Sequence, residues 1–353
     1  MRSHRFLTIL SAGFTLLVAA SCIVGGSLQS KGVTPTPKDQ TPGVSAGTTE
    51  QVSPTTQPGA QPTQAPTEVS AYPAPQSAGP SPVAPKGCEK KTCIEKGTFL
   101  LGLPIGPKER NTIDTASRYG TLRKRVGDVY HGVQFLNSTG VPVLAAADGD
   151  VEVAGDDSQT YYGPRLNMYG NLVILKHKLP GISEPVYTLY AHLSKISVKA
   201  EGDVKAGEQI GLVGMTGSTR GSTLYFEVRV GKNSYDAARN PELWLQPLPD
   251  KTGDPMGSIA GQVVDKNDDF VHIRNILVEN VRTAAEGRIR QIYLRTYIED
   301  GQMGLSPWGE TFAAGYMPEG TYQISFWYRS KLYQREVEVQ PGMLTFLTFT
   351  VSK

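Results

Sequence analysis

Short apolar runs, broken by turn residues about every ten positions, are the feature that most restricts the fold of this chain. Between residues 98 and 250 they recur as Val141-Pro142-Val143-Leu144-Ala145-Ala146-Ala147, Val151-Glu152-Val153-Ala154, Asn171-Leu172-Val173-Ile174-Leu175 and Val186-Tyr187-Thr188-Leu189-Tyr190-Ala191. Gln209-Ile210-Gly211-Leu212-Val213 and Leu224-Tyr225-Phe226-Glu227-Val228-Arg229-Val230 continue the series. Asp148-Gly149-Asp150 and several other Gly-containing steps supply the turns. No stretch repeats apolar residues at helical spacing for more than about ten positions. An all-β architecture follows.

Residues 257–353 keep the same rhythm. Ser258-Ile259-Ala260-Gly261-Gln262-Val263-Val264 opens a run, Gln291-Ile292-Tyr293-Leu294-Arg295-Thr296-Tyr297 alternates strictly, and Thr345-Phe346-Leu347-Thr348-Phe349-Thr350-Val351 closes it. This is the size of an ordinary domain, and the pattern predicts a small β-sandwich. Its Tyr, Trp and Phe side chains are assigned to the core, with an exposed subset as the alternative, able to stack on sugar rings.

The first 22 residues read as an address. Arg2, His4 and Arg5 precede an apolar stretch over 6–20, shorter than the roughly twenty residues a spanning helix needs. Val18-Ala19-Ala20-Ser21-Cys22 then resembles the bacterial lipoprotein signal, with Ala19 where that signal usually has Leu. The resemblance implies lipid on Cys22 and attachment to the outer face of a bacterial membrane. An ordinary cleaved signal or an uncleaved anchor are the alternatives, and each carries the protein out of the cytoplasm. Cys88 and Cys93 are the only other cysteines, and in an oxidising compartment they form a local disulfide. Residues 23–87 are rich in Pro, Thr, Gln, Ser and Ala; twelve of the 25 prolines lie between Lys31 and Gly87. Such a stretch buries too little apolar surface to offset its chain entropy and is expected to be a disordered stalk. With 35 Lys plus Arg against 33 Asp plus Glu, there is no basic excess of the kind a nucleic-acid binder carries, and no such partner is expected.

Three ordered motifs resemble the lysostaphin-type (LytM-like) zinc endopeptidases: Tyr190-Ala191-His192-Leu193-Ser194, Gly202-Asp203-Val204-Lys205-Ala206-Gly207-Glu208-Gln209-Ile210-Gly211, and Gly214-Met215-Thr216-Gly217-Ser218-Thr219. The 142–151 segment and the exit Asn240-Pro241-Glu242-Leu243-Trp244-Leu245 fit the same pattern. The resemblance covers residues 98–247. It implies a two-layer antiparallel β fold of the duplicated hybrid-motif kind, a groove holding zinc, and cleavage of peptide cross-links in bacterial cell walls.

The same resemblance removes the chemistry. Gly132 sets the register of the family's His-x-Gly-x-Asp motif, which places Tyr130 at the ligand His and Gln134 at the ligand Asp. In the His-x-His motif, Tyr225 stands at the metal His and Thr223 at the neighbouring catalytic His; His192 alone of the histidines is retained. Catalytic zinc is held by three imidazole or carboxylate ligands with a water in the fourth place. An amide oxygen brings no charge, and a phenol binds as an anion only after losing a proton with an ordinary pKa of about 10. Without the metal no water is activated.

The remaining histidines are read as surface or turn residues: His131 turned away from the ligand face, His177 at a strand end, and His272. His192 reads either as a vestige of the groove or as a buried strand histidine. Residues 312–322 resemble the carboxypeptidase-regulatory-like β-sandwich. The expectation is a lipid-anchored surface pseudoenzyme without cofactor. Its peptidase-like domain, residues 88–250, would bind cell-wall peptide or a partner hydrolase through a groove of Tyr130, Gln134, His192, Thr223 and Tyr225; alternatively the two tyrosines fill the vacated metal pocket and pack against each other. The alternative is a working peptidoglycan metalloendopeptidase with an unorthodox site.

Overall fold

The runs identified above become strands, because β-branched and aromatic residues suit a pleated surface packed on its neighbours. A computed structural model describes residues 92–97, 99–121, 129–249, 253, 255–282, 291–297 and 309–352. The signal segment, the stalk, Cys22 and Cys88 lie outside the described residues. Cys93 is disulfide-bonded.

In chain order the strands are β1 (Cys93–Lys96), β2 (Val133–Leu136), β3 (Pro142–Leu144), β4 (Gly149–Asp156), β5 (Asn171–His177) and β6 (Val186–Ala191). There follow β7 (Leu193–Ile196), β8 (Asp203–Val204), β9 (Gln209–Val213), β10 (Thr223–Val230) and β11 (Ala238–Arg239). The last group is β12 (Met256–Asp265), β13 (Ile276–Asn280), β14 (Gln291–Leu294), β15 (Phe312–Pro318), β16 (Gly320–Tyr328), β17 (Lys331–Val339) and β18 (Met343–Val351).

Among the described residues a large antiparallel sheet runs β11-β10-β6-β5-β4-β8, with β2 also paired to β10, and a small sheet runs β3-β9-β7. One face of the large sheet presents Val173, Leu175, Tyr190, Leu224, Phe226 and Val228 to the main core, where they meet Val143, Ile210 and Val213 of the small sheet. The fold is all-β and layered, as the periodicity requires.

Gly132 shows why its motif fixes register. A Cβ there would lie 2.3 Å from the Phe226 carbonyl, so only glycine lets the chain entering β2 pass so close to β10.

The C-terminal strands, joined by β1, form two four-stranded sheets, β1-β18-β12-β15 and β14-β13-β16-β17. Between them lies a second core, with Ile259, Phe312, Leu347 and Phe349 from one sheet and Val278, Ile324, Phe326 and Val337 from the other. The outermost strand of the first sheet is β1, antiparallel to β18 with Cys93 opposite Phe346. Leu344 and Phe346 join the same core as Leu100, Leu101 and Trp244, so the two halves share apolar contacts. The exit motif reinforces that junction. The Asn240 side chain caps the turn at Pro241–Leu243 by accepting from the Glu242 N–H at 3.0 Å. It also donates to the Tyr297 hydroxyl at 2.8 Å. Buried Glu242 pairs with Arg118 and accepts from the Gly315 N–H at 2.6 Å. Burial pushes the Glu242 carboxyl up, against the pull of Arg118 and that N–H.

Candidate functional site

Directly opposed residues of an antiparallel pair share a face. The register sets Gln134 opposite Tyr225, and Tyr225 opposite Ala191, which is followed at once by His192. Thr223 lies opposite Leu136 on the same face. The large sheet thus places Gln134, Thr223 and Tyr225 on one face with His192 at its corner, and Tyr130, just before β2, joins them through its ring.

It does not leave them open. Gln134, His192, Thr223 and Tyr225 are buried, and of the five only Tyr130 is partly exposed. The Tyr225 ring, 3% exposed, lies 6.4 Å from Tyr130, 5.9 Å from Tyr169 and 5.8 Å from His192, centre to centre. With Met168, Leu172, Ile174, Tyr187 and Leu189 these rings make a third apolar cluster on this face of the sheet. Of the two expectations, these contacts fit tyrosines that fill the vacated pocket. Each replaced ligand position holds a side chain large enough to take part in the packing.

The cover is the segment between β4 and β5. Asp157, itself buried, closes it by accepting from the Tyr169 and Gly170 N–H groups at 2.7 and 2.9 Å. Gly170 and Gly217 pack back to back, both with positive φ; a Cβ on either would meet the other's N at 2.4 Å. Ser218 N–H donates to the Met168 carbonyl at 2.9 Å, joining this cover to the 214–222 loop.

Beneath it lies an ion pair that the sequence reading did not single out. Arg229 and Glu227 are fully buried, with Nη2 to Oε2 at 2.7 Å and Nε to the same oxygen at 2.9 Å. The Tyr169 hydroxyl donates to Glu227 Oε1 at 2.6 Å, and Arg229 Nη2 donates to the Tyr162 carbonyl at 2.9 Å. Arg229 Nη1 reaches Asn233 Oδ1 at 3.0 Å. Burial, then Glu227, push the Tyr169 hydroxyl far up. Burial works against the Arg229 charge, yet Glu227 and the nearby tyrosines hold its pKa above the ordinary value. Glu227 and Arg229 thus neutralise each other inside the protein.

His192 has φ of 65° at the corner between β6 and β7. Its N–H donates to the Tyr169 carbonyl at 2.9 Å, and its Nδ1 lies 2.8 Å from the Thr216 carbonyl, which can only accept. The ring is held as a structural corner against Tyr225. His131 and His177, expected at the surface, are both buried. His131 stacks on Tyr235 at 3.8 Å, with Nδ1 3.1 Å from the Tyr235 carbonyl. His177 is clamped between the Asp148 carbonyl (2.8 Å) and the Thr188 hydroxyl (2.7 Å), and burial lowers its pKa. His131 is covered by the Tyr235 turn, and His177 by the Asp148 turn and by Thr188 of β6, which pairs with β5.

Residues 128–237 match the profile of peptidase family M23. The chain carries an M23 peptidase domain. Among curated relatives, the cell division protein DipM of Caulobacter vibrioides is 36% identical over 126 residues, which is 36% of this chain and 18% of that protein. The DD-carboxypeptidase/endopeptidase Mpg of Neisseria meningitidis serogroup B is 35% identical over 134 residues, 38% of this chain and 27% of the relative. The murein hydrolase activator NlpD of Escherichia coli is 34% identical over 108 residues, 31% of this chain and 25% of the relative. The chain thus spans about a quarter or less of the length of these relatives. Among solved structures, the catalytic domain of lysostaphin from Staphylococcus simulans aligns with 31% identity over 35% of this chain and 85% of its own, at a TM-score of 0.31.

Zinc is the metal this M23 domain brings to mind through its lysostaphin-type motifs, and the side chains present do not fit it. The three ligand positions carry Tyr130, Gln134 and Tyr225, a set with no imidazole and no carboxylate. Among the described residues no three His, Cys, Asp or Glu side chains cluster in a way that would hold a metal ion. The carboxylate on the same face of β10, Glu227, is already engaged by Arg229 and Tyr169. No hydrolytic step is derived for this site.

Proposed function

We propose that this chain is an exported, lipid-anchored cell-wall protein whose M23 domain is non-catalytic and acts by engaging a murein hydrolase. The observation that carries the reading is the packing of Tyr130 and Tyr225 at two ligand positions, beneath the segment closed by Asp157. A face so filled is suited to rigid presentation of the loops above it. Exposed large side chains stand on those loops, Tyr161 on the cover and Met215 on its hydrogen-bonded neighbour. The likeness to NlpD, named a murein hydrolase activator, supports a regulatory role. The likeness to Mpg, named a carboxypeptidase/endopeptidase, supports the competing reading of an active enzyme. The lipoprotein-like signal ending at Cys22 supports placement at the outer face of a bacterial membrane, and the Pro-rich stalk would lift the folded part off that surface.

Labelled sacculi separate the two readings. They are incubated with the purified chain alone, with each murein hydrolase of the same cell alone, and with both together. The chain alone releases no label, and it raises release by one of the hydrolases at least several-fold. Tyr161→Ala with Met215→Ala reduces that gain without altering the fold, since both side chains project into solvent. Release by the chain alone, or no gain with any hydrolase, refutes the proposal.

A further inference from the structure

The outer face of the β14-β13-β16-β17 sheet carries a second candidate site, remote from the M23 face. A cavity of about 570 Å³ opens there, walled by Trp327 and Tyr293 with Leu277 and Ser325 between them. Trp327 and Tyr293, 67% and 62% exposed, stand together on this one face, and grouped exposed rings mark interaction sites. Tyr293, Leu277 and Ser325 are cross-strand partners in one row, and Trp327 lies two residues further along β16. Two strand spacings and two residues of rise put the backbones of the two aromatics about 12 Å apart. That separation is about two sugar residues, so it suits alternate rings of an oligosaccharide chain.

The rim is basic. Arg274 and His272 come from the segment leading into β13, and Arg329 from the β16–β17 turn. That turn is a two-residue hairpin, Arg329-Ser330, with positive φ at both positions and no glycine. Non-glycine residues rarely take such a conformation, and its cost is commonly tolerated where a side chain must be aimed. Close by, Arg295 Nε is buried and has no hydrogen-bond partner. Burial, then Arg295 and Arg274, lower the His272 pKa, and burial, then Arg274, lower that of Arg295. Like charges therefore crowd at this end. Among the described residues none of the three arginines forms an ion pair. The carboxylates of this face, Glu279, Glu336 and Glu338, stand at the far end, beside and beyond Gln323.

We propose that this cavity binds a carboxylate-bearing glycan chain, with sugar rings stacked on Trp327 and Tyr293 and acid groups met by Arg274 and Arg329. Aromatic faces bind the apolar side of a pyranose whatever its substituents. The guanidinium groups then select chains that carry carboxylates, through paired hydrogen bonds. A neutral glycan satisfies only the rings, and an acidic peptide satisfies only the arginines. The cell-wall reading determines the choice of probe, while the variants report on the cavity alone.

The test titrates the full chain with peptidoglycan glycan strands freed of their stem peptides, which expose a lactyl carboxylate on every second sugar. Chitohexaose is the neutral control and polyglutamate the charge-only control, with binding read by calorimetry. The glycan strands bind best. Trp327→Ala weakens them at least tenfold with an unchanged circular dichroism spectrum, and Arg274→Gln with Arg329→Gln lowers them to the level of chitohexaose. Failure to bind the strands, equal binding of polyglutamate, or full affinity in Trp327→Ala overturns the assignment. Loss of this binding alongside a positive sacculus assay removes the glycan site and leaves the hydrolase proposal standing.

Discussion

Tyr225→Ala lowers the stability of the chain by about 3–5 kcal/mol, the range for truncating a large aromatic inside a packed core. The ring is surrounded by Tyr130, Tyr169 and His192, and the strands on both sides of β10 hold its backbone. Removing it opens a cavity that this rigid surround cannot close. Urea unfolding of the variant beside the wild type checks the value through the shift in midpoint at constant m. A residue lining an open groove behaves differently, because truncating an exposed side chain changes stability by no more than about 0.5 kcal/mol. The size of the loss therefore separates a filled site from an open one.

Arg229→Met has a comparable effect for a different reason. It leaves the Glu227 carboxylate buried with the Tyr169 hydroxyl but without its cation, and breaking one side of a buried pair costs about 3–5 kcal/mol. The double change Glu227→Leu with Arg229→Met removes both charges and recovers a large part of that loss, because well-packed apolar residues often replace a buried pair at little cost. The coupling between the two positions, measured as a double-mutant cycle in urea, exceeds about 1 kcal/mol. Simple addition of the two single losses contradicts the account, since it means the charges do not depend on each other.

These two results bear on what the sequence could show. The all-β architecture was legible because alternation and turn residues are local signals. The need for glycine at 132 was legible too, because a side chain there would collide with the Phe226 carbonyl. Strand β10 was misleading. Its residues alternate between Leu224, Phe226 and Val228 on one side and Thr223, Tyr225, Glu227 and Arg229 on the other. Locally, nothing in this pattern says what covers the second set. In the structure it is buried under residues 157–170, held there by Asp157 and by the Arg229 contact with the Tyr162 carbonyl.

Two charged residues on one face of a strand whose other face is wholly apolar were the available clue. Their opposite sign at a spacing of two is the pattern of a pair. The burial of His131 and the pairing of β1 with β18 were beyond local reading for the same reason, since each depends on chain that is distant in sequence. Trp327 and Tyr293 departed from the core assignment in the other direction. They alternate with buried neighbours Phe326 and Leu294, and only the register shows that they share an unpaired outer face.

The proposed non-catalytic role requires packed side chains in place of the metal site of the M23 domain. Zinc content and cell-wall digestion, measured on one preparation of the purified chain with and without chelator, test it most directly. The account predicts far less than one zinc per chain, no release of fragments from sacculi, and a melting temperature that the chelator does not move, because no ligand specific to the folded state is removed. About one zinc per chain, with digestion that stops and a melting temperature that falls by several degrees on chelation, would contradict it.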